Sequence, residues 1–432
     1  MKKACVVWLV LWGFPINIVA QEQHGDAERD VAQALAEEGL RKNQGLRAIE
    51  KRIAALSENI DRAGAWMDPI ASAEYSNIPI DSLRPDRHPM SGVQFKLQQT
   101  FFFPGKTSRR EAVAKGEVKQ AKEALAESQT QLRNLVKRAY YELTLVRQLR
   151  EITKEHIQLV AQFIDVVRVK YEVGKTAQHE LIRLEVLRGE LSDQLEDFDR
   201  DDQALSAEIN STLHRPNTVP IQTPKTLAAL EPQSTLAKLI QHSKHHRPLL
   251  RQYREQARTK ELAAKQASLE GYPDFTAWLS YRLRSDTGAD PGTDFVGAGL
   301  SVPIPFWYDQ RWGSERRINE NLAREARAQE DALFDDIRAK LADTVSRWKR
   351  AYEQTQTYEK QLTPQSKQAL EATFSAYQVD RADFASLYQA ELQLLDFERT
   401  LRRARALTHI SQAQTEALIG SPLKTKQNKR SR

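Results

Sequence analysis

Between Gly105 and Leu213 the sequence has no proline and only three internal glycines, Gly116, Gly174 and Gly189. The tract is dominated by Ala, Glu, Leu, Lys, Gln and Arg, the residues that lose least on entering a helix. Its seam runs Leu145, Leu149, Ile152, His156, Leu159, Phe163 and Val166, in alternating steps of four and three. That spacing predicts a coiled-coil seam rather than the broad face of a globular helix. Pro104 marks the start and Gly174 the interruption, leaving about 67 residues, a rod of roughly 100 Å at 1.5 Å per residue. A second tract, Ser314–Ile419, has the same character and one proline, Pro364. At an offset of about 206, Tyr171-Glu172-Val173-Gly174 faces Tyr377-Gln378-Val379-Asp380, and Arg109-Arg110 falls against Arg316-Arg317. A long unit that occurs twice is a duplication, not a solenoid.

Between the rods the period changes to two. In Asp274–Arg284, Phe275, Ala277, Leu279, Tyr281 and Leu283 alternate with Thr276, Trp278, Ser280, Arg282 and Arg284. In Ser91–Phe101, Val93, Phe95 and Leu97 alternate with Gln94, Lys96 and Gln98. Ile70–Ile78 and Phe295–Val302 alternate less cleanly. These lengths suit tilted transmembrane β-strands. The connectors Asn77–Met90 and Ser285–Thr293 carry the Pro, Asp and Gly of turns. Trp66, Tyr272 and Phe275 mark strand entries, and Phe101, Phe102, Phe103, Phe306, Trp307 and Tyr308 mark exits. Entries and exits at one level predict an interfacial aromatic belt. Four strands do not close a barrel, and open edges are not tolerated in lipid, so several copies must share one barrel.

Mean hydropathy is −0.61, and no apolar run of 18 residues follows the first twenty, which excludes a helical multi-span protein. Residues 1–20 read as a secretory leader: Lys2 and Lys3, an apolar run from Ala4 to Phe14, and an exit at Val19-Ala20. The single cysteine, Cys5, lies in that leader, so disulfides and thiol chemistry are not expected beyond it. The net charge of +6 is concentrated in the leader and in Lys424–Arg432, which weakens any nucleic-acid reading.

With these features in place, the sequence resembles the TolC-like outer-membrane efflux channel family over nearly all of its length beyond the leader. The resemblance rests on the duplication, on FFFPGKTSRR (Phe101–Arg110), and on the paired segments YEVGKTAQHELIRLEV (Tyr171–Val186) and YQVDRADFASLYQAEL (Tyr377–Leu392). It implies a mostly α chain with a membrane β-barrel: a homotrimer with a 12-stranded barrel continued by a coiled-coil α-barrel. It also implies a passive duct that meets a periplasmic adaptor and, through it, an inner-membrane transporter, for instance of the RND type. The FPGK and YEVGK steps resemble members serving heavy-metal (cobalt-zinc-cadmium type) pumps. Drug efflux and type I protein secretion stay open as cargoes, and a secreted coiled-coil protein without a barrel is the alternative from another class.

The implied layout is a leader (1–20), a first repeat (21–215; rods about 30–66 and 105–213, hairpin about 70–101), a linker (216–240), a second repeat (241–420; rods about 248–270 and 314–419, hairpin about 274–304) and a basic tail (421–432). By resemblance, the adaptor-docking tips are Val173, Gly174, Lys175, Thr176 and Val379, Asp380, Arg381, Ala382. Gate candidates are Tyr377, Asp383, Ser386 and Gln389. Asp380 stands where relatives have glycine, which predicts a tighter or differently shaped second turn. Ser386 and Gln389 fall where some relatives carry acidic rings. The cluster His242, His245 and His246 reads as a solvated loop or helix start before Pro248 rather than a metal site. No hydrolase, phosphate-loop or Cys-His motif is present, so neither catalysis nor a cofactor is expected.

Overall fold

The computed structural model describes residues 31–84 and 86–423; the predicted leader and residues 424–432 of the tail lie outside them. Residues 31–42 are helical and form α1, followed by α2 (Gln44–Gly64), β1 (Ile70–Ser76), β2 (Gly92–Phe101), α3 (Lys106–Glu172) and α4 (Gln178–Thr212). The second half gives α5 (Leu236–His246), α6 (Pro248–Glu270), β3 (Phe275–Arg284), β4 (Phe295–Ser301), α7 (Ser314–Thr357), α8 (Thr363–Gln378) and α9 (Phe384–Ile419).

Three features differ from the sequence expectation. The rod expected over 30–66 is two helices, broken at Asn43, whose side-chain amide donates to the Thr212 carbonyl at 3.1 Å. The linker is irregular only to residue 235, after which α5 forms. The last rod stays helical but is interrupted by a π-turn, Tyr358–Leu362, two residues before Pro364. Proline lacks the N–H that would continue the α-ladder, and the π-turn places it in the first turn of α8, where no such donor is needed.

The chain divides into two units. One holds Gly45–Ser128 and Lys244–Ile337, including all four strands. They form one antiparallel sheet in the order β1-β2-β3-β4. The register pairs Phe95 with Ala73 and Tyr281, and Lys96 with Ser72 and Ser280. Val93, Phe95, Leu97 and Phe101 therefore share a face with Leu283, Tyr281, Leu279, Ala277 and Phe275, and with Val296, Ala298 and Leu300. The other face carries Ser72, Glu74, Gln94, Lys96, Gln98, Trp278, Ser280, Arg282, Gly297 and Gly299. Below the sheet the helices approach closely through small residues: a Cβ on Gly116 of α3 would come within 2.4 Å of Thr259 of α6.

Of the described residues, the other unit comprises 31–44, Gln129–Ser243 and 338–423. Its core joins Val160, Phe163, Ile164 and Val167 of α3 with Leu184, Leu187 and Leu191 of α4, Leu370 and Tyr377 of α8, and Leu387, Leu394 and Leu395 of α9. Val160 is more deeply buried than Leu159, because α3 buries two neighbouring stripes, not one narrow seam. The irregular segment before α5 is pinned to this unit: Trp348 Nε1 donates to Leu230 O at 2.7 Å, and Leu230 N donates to Thr408 Oγ1 at 3.1 Å.

Candidate functional site

The two helix turns repeat one geometry. At the end of α3, Lys175 N donates to Lys170 O (2.8 Å) and Gly174 N to Tyr171 O (2.9 Å), with Gly174 at φ 73°. At the end of α8, Arg381 N donates to Ala376 O (2.8 Å) and Asp380 N to Tyr377 O (3.2 Å), with Asp380 at φ 61°. Both are Schellman caps with a left-handed residue at the same position. The expectation of a differently shaped second turn is therefore corrected: Asp380 takes the glycine conformation, which Asp visits at some cost.

That cost is offset by the contacts of its carboxylate: Lys170 and Lys175 from the first turn both donate to it, the latter at 2.7 Å. Lys170 also donates to Tyr377 O and lies 4.4 Å over the Tyr377 ring. The hydrogen bonds from Lys170 and Lys175 hold the Asp380 carboxyl down to about 2. The two turns of one chain are thus clipped together across 205 residues of sequence.

The remaining tip residues divide by burial. Val173 and Val379, at equivalent positions, are 64% and 62% exposed, an unusual placement for valine and a matched apolar pair. Lys175 and Arg381 are exposed, Ala382 packs against the core, and Thr176 Oγ1 donates to Glu180. Of the gate candidates, Tyr377 is buried in its own chain's core. Asp383 and Ser386 form one cap: Asp383 Oδ1 accepts from Ser386 N at 2.8 Å and closes the start of α9. Gln389 is exposed on the same helix.

The aromatic residues meet as entry–exit pairs. Trp66 stacks on Phe102 at 5.7 Å and meets Phe101 at 6.3 Å; Phe103 stacks on Tyr272 at 4.7 Å. Phe306 and Trp307 are more than 70% exposed, and Phe275 and Tyr308 are partly so. Tyr308 lies over Gly271, where a Cβ would come within 2.0 Å of its ring.

Two clusters were missed at the sequence level. Lys106, of the FPGK step, is buried and binds Asp274 (2.8 Å) and the Tyr272 carbonyl (2.7 Å), while Arg110 takes Glu270 through two bonds (2.6 and 2.8 Å). Phe103 N also donates to Asp274 (2.7 Å), so one carboxylate ties the exit of β2 to the entry of β3. The second cluster is His156, buried between Glu391 (2.6 Å from Nδ1) and Glu398 (3.1 Å from Nε2). Burial opposes charging of the ring, but the two carboxylates outweigh it and lift His156 to about 9. The signal was its seam position, since a polar residue there needs a partner. The loop or helix start expected for the histidine cluster is corrected: His242, His245 and His246 lie in the last turns of α5, and His242, half-buried, is 2.7 Å from Ser421 Oγ. Among the described residues no three His, Cys, Asp or Glu side chains are placed to hold a metal ion.

A duplicated helical chain with one four-stranded, two-faced sheet and paired helix turns has the fold of the TolC-like channels. Residues 35–210 match the outer membrane efflux protein family. Among solved structures, VceC, an outer membrane protein of Vibrio cholerae, is similar with a TM-score of 0.75 at 18% identity, covering 91% of this chain and 97% of that one. CusC is similar at 0.75 and 14%, covering 91% and 92%. The open state of the MtrE outer membrane channel of Neisseria gonorrhoeae is similar at 0.71 and 14%, covering 91% and 90%. No curated protein matches the sequence. The resemblance read from the sequence therefore stands on family sequence in the first half and on fold throughout.

Proposed function

We propose that this protein is the outer-membrane duct of a tripartite export system, acting as a homotrimer without catalysis. The observation that carries the reading is the sheet. Its apolar face is exposed, with Phe95, Leu97, Leu279 and Leu300 each about half or more accessible, and its opposite face holds every charged strand residue. A soluble protein rarely leaves such a face uncovered, whereas lipid on one side and water on the other require this division. Among the described residues β1 and β4 each lack a second neighbour, which three copies joined edge to edge would supply.

In this reading the tips meet a periplasmic adaptor that links the duct to an inner-membrane pump. Exposed Val173 and Val379 supply matched apolar contacts, and Lys175 and Arg381 supply polar ones. Six weak contacts made together hold through high effective concentration. The FPGK and YEVGK steps point to heavy-metal cations as the finer cargo class, whereas the charge of the sheet points to a different one.

Gly174→Val tests the tip. A Cβ at Gly174 meets nothing within 4 Å, so the substitution acts through its left-handed backbone alone. Export and adaptor pull-down are expected to be lost, with trimer yield and outer-membrane insertion unchanged. Normal export would move the docking site elsewhere, and loss of the trimer would make the turn structural.

A further inference from the structure

The charged residues of the four strands are Glu74, Lys96, Arg282 and Arg284, and the register places all of them on the polar face. Their partners differ in kind. Arg284 binds Asp290, so its charge is cancelled locally. Lys96 and Arg282 are held by neutral groups. Lys96 Nζ sits 5.2 Å over the Trp278 ring. That ring lies flat on β4, where a Cβ on Gly299 would come within 2.4 Å of it. Arg282 donates to Gln94 Oε1 at 2.7 and 3.2 Å, and to Ser76 Oγ at 3.4 Å. Among the described residues neither cation has a carboxylate within ion-pair distance. Two acids of the connection between β3 and β4 are engaged otherwise: Asp294 accepts from the Tyr281 hydroxyl at 2.6 Å, and Tyr281 belongs to the apolar face. Asp286 accepts from Gly288 N in its own loop at 2.7 Å. Glu74, exposed on β1, is the one strand carboxylate set against them.

Cations braced by neutral partners keep their field, whereas cations paired with carboxylates lose it. We infer that Lys96 and Arg282 set the charge selectivity of the sheet section, favouring anionic solutes over free cations. The inference rests on the duct reading, in which the polar face lines the passage. Repeated in three copies, the two residues make a cationic belt around the exit, and Trp278 is the platform that holds Lys96 in place. The cargo class that follows is anionic or neutral compounds, not free metal ions.

The test is reconstitution of the full chain into planar bilayers, with the reversal potential read across a potassium chloride gradient. Lys96→Glu is expected to lower the chloride-to-potassium permeability ratio about seven-fold, the factor for a potential change of about one kT acting with opposite sign on the two ions. Arg282→Gln is expected to move it in the same direction. The shift should be largest near 0.1 M salt and fade near 1 M, where the screening length falls from about 10 Å to about 3 Å. If Lys96→Glu does not insert, Lys96→Gln gives the same reading at half the charge change. An unchanged ratio in variants that conduct would overturn the belt and leave the duct intact. If the unaltered protein forms no channel, the duct reading fails and the belt with it.

Discussion

At Asp380 a single residue does two things that a glycine would separate. Its left-handed backbone completes the cap of α8, and its carboxylate binds Lys170 and Lys175 of the other turn. Asp380→Gly is therefore expected to keep the turn, relieve the backbone, and release the clip. Trypsin should then cut after Lys175 faster than in the unaltered chain, and equal rates would show that the lysines do not hold the turns together. The sign of the pH effect follows from the lowered carboxyl. A group held at about 2, against 3.8 when free, contributes fully above 3.8 and loses its contribution as pH falls through about 2. A carboxyl titration followed by NMR is expected to have its midpoint near 2. A midpoint near the ordinary aspartate value would contradict the clip.

The pairing of α3 with α9 turns on His156. The ring is buried between two carboxylates, one of which, Glu391, is fully buried. Removing the histidine alone strands Glu391, and His156→Leu is expected to cost about 3–5 kcal/mol, read by chemical denaturation. His156→Leu with Glu391→Leu should recover most of that loss, because an apolar pair needs no partner. No recovery would mean that His156 matters through packing rather than charge. Because the ring is raised from 6.5 to about 9, its contribution is complete below 6.5 and is lost as pH rises through about 9. The melting temperature is expected to fall across that window in the unaltered protein and to stay flatter in the double variant. This element also shows what the sequence could and could not reveal. The helices were legible because their pattern runs long and uninterrupted, and β2 and β3 because their period is two; β1 and β4 alternate less cleanly and were read from their place beside the turn connectors. The seam position of His156 was legible, but its partners were not: they lie 235 and 242 residues away, and no local pattern joins them. Lys106 was hidden for the same reason, since the Pro-Gly before it signals a turn while its acceptors sit beyond the second repeat's first helix. The second cap was misjudged because residue type alone sets a cost for Asp380, and the lysines that accompany it come from the other half.

At the scale of the whole molecule, one copy of this chain is an incomplete solution to its own sequence. A four-stranded sheet with an uncovered apolar face and two unpaired edges is a poor soluble structure and an impossible membrane one. Lipid covers the face, but backbone groups on the edges need another strand. Edge-to-edge addition of identical copies is heterologous and continues until the ring closes. With four strands each, two copies reach only the eight strands of the smallest barrels, and three give a wider passage. One cysteine on each edge, Ala73→Cys in β1 and Ala298→Cys in β4, places thiols on the same apolar face. The expected product of a short bismaleimide cross-linker in detergent is a ladder that stops at three chains. A ladder that stops at two, or that runs on without limit, would mean the edges are satisfied in another way. A chain left wholly monomeric with its strands intact would remove the need for a shared barrel altogether.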